Sequence, residues 1–114
     1  RPVTVFKGHT RTSTYIDDSV TTLANISDNF HNGEIYNIAS DHVHSIEELA
    51  KTIQKYTGAD DSLITYEDHN EILTTKHKCV SAQKAKQHLK HKSSVTLDEG
   101  VRQTVEWMRS YYNL

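Results

Sequence analysis

The residue best suited to chemistry is Arg11, which stands in the polar run His9-Thr10-Arg11-Thr12-Ser13-Thr14. A guanidinium offers a planar fork of N–H donors that matches two oxygens of a phosphate, and the hydroxyls of Thr10, Thr12, Ser13 and Thr14 can add donors beside it. Two carboxylates follow, Asp17 and Asp18. They would suit general acid–base work, but adjacent acids at the start of a helical pattern are accounted for by capping and the helix dipole. Cys79 lies two residues from His77, a spacing that in a strand puts thiol and imidazole on one face. A lone cysteine is usually a buried structural thiol, and that is the expectation here. Among eight histidines, His42 with His44 and His88 with His91 offer imidazole pairs. No tight Cys/His quartet exists, so no metal is expected. Trp107, Tyr111 and Tyr112 are expected to pack on the domain or on a partner chain. Asn37, an amide inside an apolar run, either satisfies a neighbouring loop or faces a ligand.

The elements that must position these groups follow from periodicity and stop signals. Val3 to Phe6 alternates and is β-rich, so it reads as a strand, with a second short strand over Ser13 to Ile16. Asp17 or Asp18 then caps a helix with Val20, Leu23, Ala24, Ser27 and Phe30 on one face, stopped at Asn32-Gly33. Glu34 to Ser40, "EIYNIAS", is the best candidate for a buried strand. Ser45-Ile46-Glu47-Glu48 is a capping box opening a helix with Ile46, Leu49, Ala50 and Ile53 inward and Gly58 as its stop. Ser62 to Tyr66 reads as a strand, Glu67 to Thr75 as an exposed loop, and Lys78 to Val80 as a short strand. A brief helix runs from Ser81 to about Leu89. A second capping box, Thr96-Leu97-Asp98-Glu99, opens a last helix with Leu97, Val101, Val105, Met108 and Tyr112 on its inner face. Strands alternate with helices, so the class is α/β, with short mixed strands and about four helices.

Composition narrows the function. At 114 residues the chain suits one domain, spanning 1–114. Thirteen basic residues against fifteen acidic ones leave no basic footprint for nucleic acid. No apolar stretch approaches a membrane span. A single cysteine suits a reducing compartment, and the expected location is cytoplasmic. The start at Arg1-Pro2, inside what reads as a strand, suggests a piece of a longer protein.

Four fragments occur in order: "TVFKG…RTSTYIDDSVTTLANI", "GEIYNIASDHVHSIEELAKTI", "VSAQKAKQHL" and "SVTLDEGVRQTVEWM". Together they cover nearly the whole chain and resemble the carboxyl-terminal part of the extended short-chain dehydrogenase/reductases, the NAD-dependent nucleotide-sugar epimerases and dehydratases. The resemblance implies that Arg11 contacts the diphosphate of a nucleotide sugar and that Phe6 lies near its nucleoside. It places Asn37 beside the substrate cleft and makes Tyr15 and Asp18 anchors of the following helix. The Tyr36-Asn37 strand would join the edge of a dinucleotide-binding sheet. Thr12 replaces the usual Asp and Ala39 the usual Gly, the loop between Phe6 and Arg11 is short, and Ser81 stands for an Asp. A second substrate arginine would fall near Glu71, so either that contact is lost or Lys76, Lys78 or an insertion-shifted residue supplies it.

The cofactor half is what the letters lack. Only four glycines occur and none forms a Gly-x-x-Gly-x-x-Gly turn. No Tyr is followed four residues later by Lys, the pair that such redox chemistry uses as acid–base. The sequence therefore reads as a nucleotide-sugar-binding portion, with Arg11, Phe6, Asn37, Tyr15 and Lys76 toward substrate. It is not catalytic alone, its partner being a Rossmann portion that carries NAD. A stand-alone binding or interaction module derived from such an enzyme, and able to form a homo-oligomer, is the alternative.

Overall fold

The computed structural model describes residues 1–68 and 74–113; Glu71 and most of the loop expected over Glu67 to Thr75 lie outside the described residues. The described residues form two small sheets and four α-helices, with two short 3₁₀ turns. Strand β1 (Val3–Phe6) pairs in parallel with β4 (Ile64–Glu67), in the register Val3–Ile64 to Phe6–Glu67. Strand β2 (Thr10–Arg11) pairs antiparallel with β3 (His44–Ser45). The helices are α1 (Ile16–Ala24), α2 (Ile46–Thr57), α3 (Gln83–Leu89) and α4 (Leu97–Tyr112). The α/β class is as the alternation of patterns requires.

Helices α2 and α4 form as their caps dictate. The Ser45 hydroxyl accepts from the Glu48 amide at 2.9 Å, and the Thr96 hydroxyl from the Glu99 amide at 3.3 Å. The second box is only half built. The Glu99 carboxylate turns forward, accepting from Arg102 and Gln103 at 2.6 Å. Gly58 closes α2, its amide donating to Gln54 at 2.9 Å. The two helices lie side by side, and Asp98 at the head of α4 receives both Lys55 and the Tyr56 hydroxyl from α2. Gly100 lets α4 approach Tyr15: a Cβ there would stand 3.2 Å from the tyrosine ring.

Helix α1 departs most from expectation. It starts at Ile16, before either acid, with Tyr15 as N-cap and no side-chain cap, and ends at Ala24 in a short 3₁₀ turn over Asn25–Ser27 rather than at Gly33. Asp18 is buried and does other work. Its Oδ2 accepts from the backbone amides of Ser94 (3.0 Å) and Val95 (3.1 Å), neutralising donors that burial would leave unsatisfied. One turn on, the buried Thr22 hydroxyl sits 2.8 Å from the Asp18 carbonyl and 2.7 Å from Nδ1 of His91. The His91 ring is buried too, and its Nε2 donates to the Ala39 carbonyl at 2.9 Å. The polar face of α1 is thus the inner one. Its apolar residues Ile16, Val20 and Leu23 are 62, 53 and 54% exposed.

The segment "EIYNIAS" is not a strand. Residues 34–40 have no ladder partner among the described residues, and Ile35 is 84% exposed. A strand needs a neighbour for its backbone groups, and this chain offers none there. Similarly, Ser13 to Ile16 lacks a ladder because the pairing falls three residues earlier, on β2. Lys78 to Val80 forms no strand beyond a single bridge between His77 and Thr10.

The buried apolar set is small: Val5, Ala39, Ala82, Ala85, Leu89 and Val105, three of them alanine. Among the described residues twelve large apolar side chains are exposed, Phe30, Met108 and Tyr112 among them, so these residues alone do not cover their own hydrophobic surface.

Two substitutions check this frame. Removing the carboxylate in Asp18→Ala leaves two backbone donors unpaired and should cost about 2–3 kcal/mol in urea unfolding. Lys90 ends α3 in the left-handed region at φ 55°, where a Cβ is unfavourable. Lys90→Gly should therefore raise stability by about 0.5–1 kcal/mol in the same measurement.

Candidate functional site

Strand β2 runs between two neighbours. On one side is β3; on the other, the Thr10 amide donates to the Lys76 carbonyl (2.9 Å) and the Lys78 amide to the Thr10 carbonyl (3.1 Å). Arg11 stands at the edge of this patch. Its Nη1 donates to the Thr10 carbonyl at 2.7 Å and the Lys76 carbonyl at 3.3 Å. One end of the guanidinium is thereby held on the backbone. The Nε and Nη2 donors have no protein partner among the described residues, and they are the ones available to an anion.

Lys76 and Phe6 share this corner. Gly8 adopts φ +69°, and a Cβ on it would lie 3.2 Å from Cε of Lys76, so a glycine lets the lysine stem cross the turn. The turn is fastened to the head of α2. The Gly8 amide donates to Oε1 of Glu47 at 2.7 Å and the Ile46 amide to the His9 carbonyl at 2.9 Å. The Phe6 ring is half-buried and tilted 45° to His9, with centroids 5.9 Å apart.

His9 and Glu47 received no role from the residue pattern, yet they hold this turn. His9 is 2% exposed, and neither its Nε2 nor Oε2 of Glu47 has a hydrogen-bond partner among the described residues. The Gly8 amide above all, then the Glu47 amide itself, the Ser45 side chain and the His9 ring, hold the Glu47 carboxyl below its ordinary range. The sequence signal was faint: Glu47 sits one position before the capping acid, and nothing marks a contact with residues 39 positions upstream.

The other expected site residues go elsewhere. The Tyr15 ring packs on Gly100 and lines an apolar groove of about 440 Å³ between α2 and α4, with Leu49, Val101 and Met108. Asn37 is exposed on the unpaired segment. That segment is tied to the β2–α1 connection where the Ser40 amide donates to the Thr14 hydroxyl at 2.8 Å. Three of the four hydroxyls beside Arg11 are occupied within the protein. Thr10 lies 3.2 Å from Nδ1 of His77, Ser13 lies 2.8 Å from Nε2 of His44, and Thr14 holds Ser40. They brace the loop instead of extending the arginine's donor set.

The remaining chemistry-bearing groups fall outside the corner. Cys79 is exposed, contrary to the expected burial, because Lys78 to Val80 lies on the surface rather than inside a sheet. His88 bonds the Tyr36 hydroxyl at 2.9 Å, His44 bonds Ser13, and His91 bonds Thr22 and Ala39. Among the described residues no three His, Cys, Asp or Glu side chains converge on a metal position. Trp107, Tyr111 and Tyr112 stack on one another, exposed at the end of α4, instead of packing on the domain. No helix among the described residues is long and apolar enough to cross a membrane.

No protein-family model matches the chain. It is 28% identical over 110 residues to the UDP-N-acetyl-alpha-D-glucosaminuronate decarboxylase of Bacillus cytotoxicus, an alignment covering 91% of this chain and 34% of the relative. Among solved structures, the UDP-glucuronic acid 4-epimerase of Bacillus cereus in complex with NAD is 25% identical with a TM-score of 0.79, over 99% of this chain and 35% of that one. The UDP-glucose 4-epimerase of Thermotoga maritima, with UDP-glucose, is 26% identical with a TM-score of 0.84, over 98% of this chain and 36% of that one. The likeness seen in the residues holds: in sequence and fold the chain is similar to the carboxyl-terminal portion of extended short-chain dehydrogenase/reductases that act on nucleotide sugars. It spans about a third of the length of these relatives.

The residues present here do not fit NAD. A dinucleotide site needs glycines clustered in one strand–helix turn so that backbone can approach the pyrophosphate. This chain's glycines stand far apart at Gly8, Gly33, Gly58 and Gly100. Gly8 faces the stem of Lys76, and Gly100 faces the ring of Tyr15.

The Glu47 contact has a signature in acid. A carboxyl held below its ordinary value of 4.5 contributes stability that is present above that pH and lost as pH falls through the lowered value. Glu47→Gln should flatten the stability–pH curve below about 4.5 and leave the slope near neutrality unchanged, as read by chemical denaturation at stepped pH.

Proposed function

We propose that this chain is the nucleotide-sugar-binding portion of an NAD-dependent epimerase or dehydratase, and that a Rossmann portion outside the 114 residues supplies the cofactor and the hydride chemistry. One observation carries the reading. Helix α1 turns its polar face inward and leaves Ile16, Val20 and Leu23 in solvent, and the β-prone Glu34–Ile38 run has no ladder partner among the described residues. An amphipathic helix is stable with its apolar stripe covered, and a β-rich run is stable with its backbone paired. A further portion of protein that covers the stripe and offers the run a sheet edge satisfies both.

Within that assembly Arg11 offers its Nε/Nη2 edge to the diphosphate, pre-set by the two carbonyls that hold Nη1. Lys76 supplies a second cation across the Gly8 turn. The Phe6 ring covers the nucleoside and Asn37 lines the sugar side. Tyr15 acts at one remove, seating α1 against α4. The domain unit 1–114 works as a holder of substrate and not as a catalyst.

A stand-alone module is the second reading, and the same exposed α1 face favours it: without a sheet to cover it, that surface would drive self-association. Titrating the chain with UDP-glucose while measuring its mass in solution separates the two. The first reading expects saturable binding, with chemical-shift changes at Phe6 and Arg11. It also expects about a tenfold or greater loss in Arg11→Ala, the scale of a charge-assisted phosphate contact. No response to UDP-glucose, together with a defined oligomer that Val20→Glu dissolves, would overturn it in favour of the module.

A further inference from the structure

A groove of about 320 Å³ lies between α1 and the chain after α3, away from the Arg11 corner, lined by Asp18, Thr21, Thr22, Asn25, Lys90, Lys92 and Ser94. We propose that this groove binds a phosphate group, free or at the end of a small metabolite, through the ammonium groups of Lys90 and Lys92 with Thr21, Asn25 and Ser94 as neutral partners.

Charge is the first reason. Between Glu71 and Asp98 the sequence holds six lysines and no carboxylate, in a chain whose net charge is −2. Lys84 and Lys86 are used in ion pairs with Glu34 and Asp41. Lys90 and Lys92 make no ion pair among the described residues. The one carboxylate in the groove, Asp18, has its Oδ2 engaged by the Ser94 and Val95 amides. The Asn25 amide nitrogen donates to the Leu89 carbonyl at 2.9 Å, which holds that side chain against the end of α3.

Backbone conformation is the second reason. Lys90 holds φ 55° and ψ 31°, a left-handed position that a glycine occupies without steric cost. Strain of this kind persists where the side chain is needed. A lysine at a helix end gains from the dipole, but Lys92 stands beyond the end of α3 and faces the same groove.

Access is the third. At about 100° per residue, Thr21, Thr22 and Asn25 fall within about 60° of Asp18 around α1, whereas Ile16, Val20 and Leu23 fall about 140–200° away. The groove opens on the side opposite the apolar stripe. A partner covering that stripe leaves it free, so this site does not depend on the nucleotide-sugar reading.

The probe is inorganic phosphate added to the 114-residue chain at constant ionic strength, with chloride as reference, followed by amide and side-chain chemical shifts. The expected result is saturable shifts at Thr21, Asn25 and Ser94. Lys90→Gly, which relieves the backbone, and Lys92→Ala should each weaken binding several-fold, and together by about tenfold or more. Lys51→Ala, on the exposed side of α2, should leave the affinity unchanged. Glucose 1-phosphate binding more tightly than phosphate assigns the site to a metabolite, and equal binding assigns it to the free ion. Shifts that chloride reproduces, or an affinity that Lys51→Ala lowers as much as Lys90→Gly does, would overturn the proposal.

Discussion

The structure depends on a buried polar strut that runs from α1 to the chain between α3 and α4. Asp18 holds the amides of Ser94 and Val95, and one turn later Thr22 meets His91, whose far nitrogen reaches Ala39. Three separate stretches of sequence converge there, and each buried polar atom finds a partner. In a chain whose buried apolar set includes three alanines, these bonds fix geometry that packing alone would leave loose. They also decide which face of α1 turns inward, and so which face turns out.

That orientation links the fold to the reading of function. With Asp18 and Thr22 inside, Ile16, Val20 and Leu23 point away into solvent. An exposed apolar stripe, together with a β-prone run at residues 34–40 that has no ladder partner among the described residues, describes one half of an interface. The relatives, about three times as long, have the remaining length to supply the other half.

The Arg11 corner obeys a different constraint. A short turn, Lys7 to His9, sets the Phe6 ring near His9 and lets the Lys76 stem cross at Gly8, and Glu47 ties the turn to α2. The arginine is not a free surface side chain. Two carbonyls fix one of its nitrogens, so the remaining edge of the guanidinium is already oriented. Hydroxyls that looked like further donors are the braces that keep β2, β3 and residues 76–78 in register.

What was legible in the letters was local. Ser45 and Thr96 as caps, Gly58 as a stop and the strand "VTVF" follow from chemistry within a few residues of each position. So does the family likeness, carried by four short fragments. The inner face of α1, the strut through His91, the fastening of Gly8 by Glu47, and the exposure of Cys79 and Ile35 were not legible. Each depends on a partner distant in sequence or lying outside this chain. Periodicity states that a helix has two faces and that an apolar run will pair; only the assembled neighbours determine which face is covered and whether the run finds an edge to join.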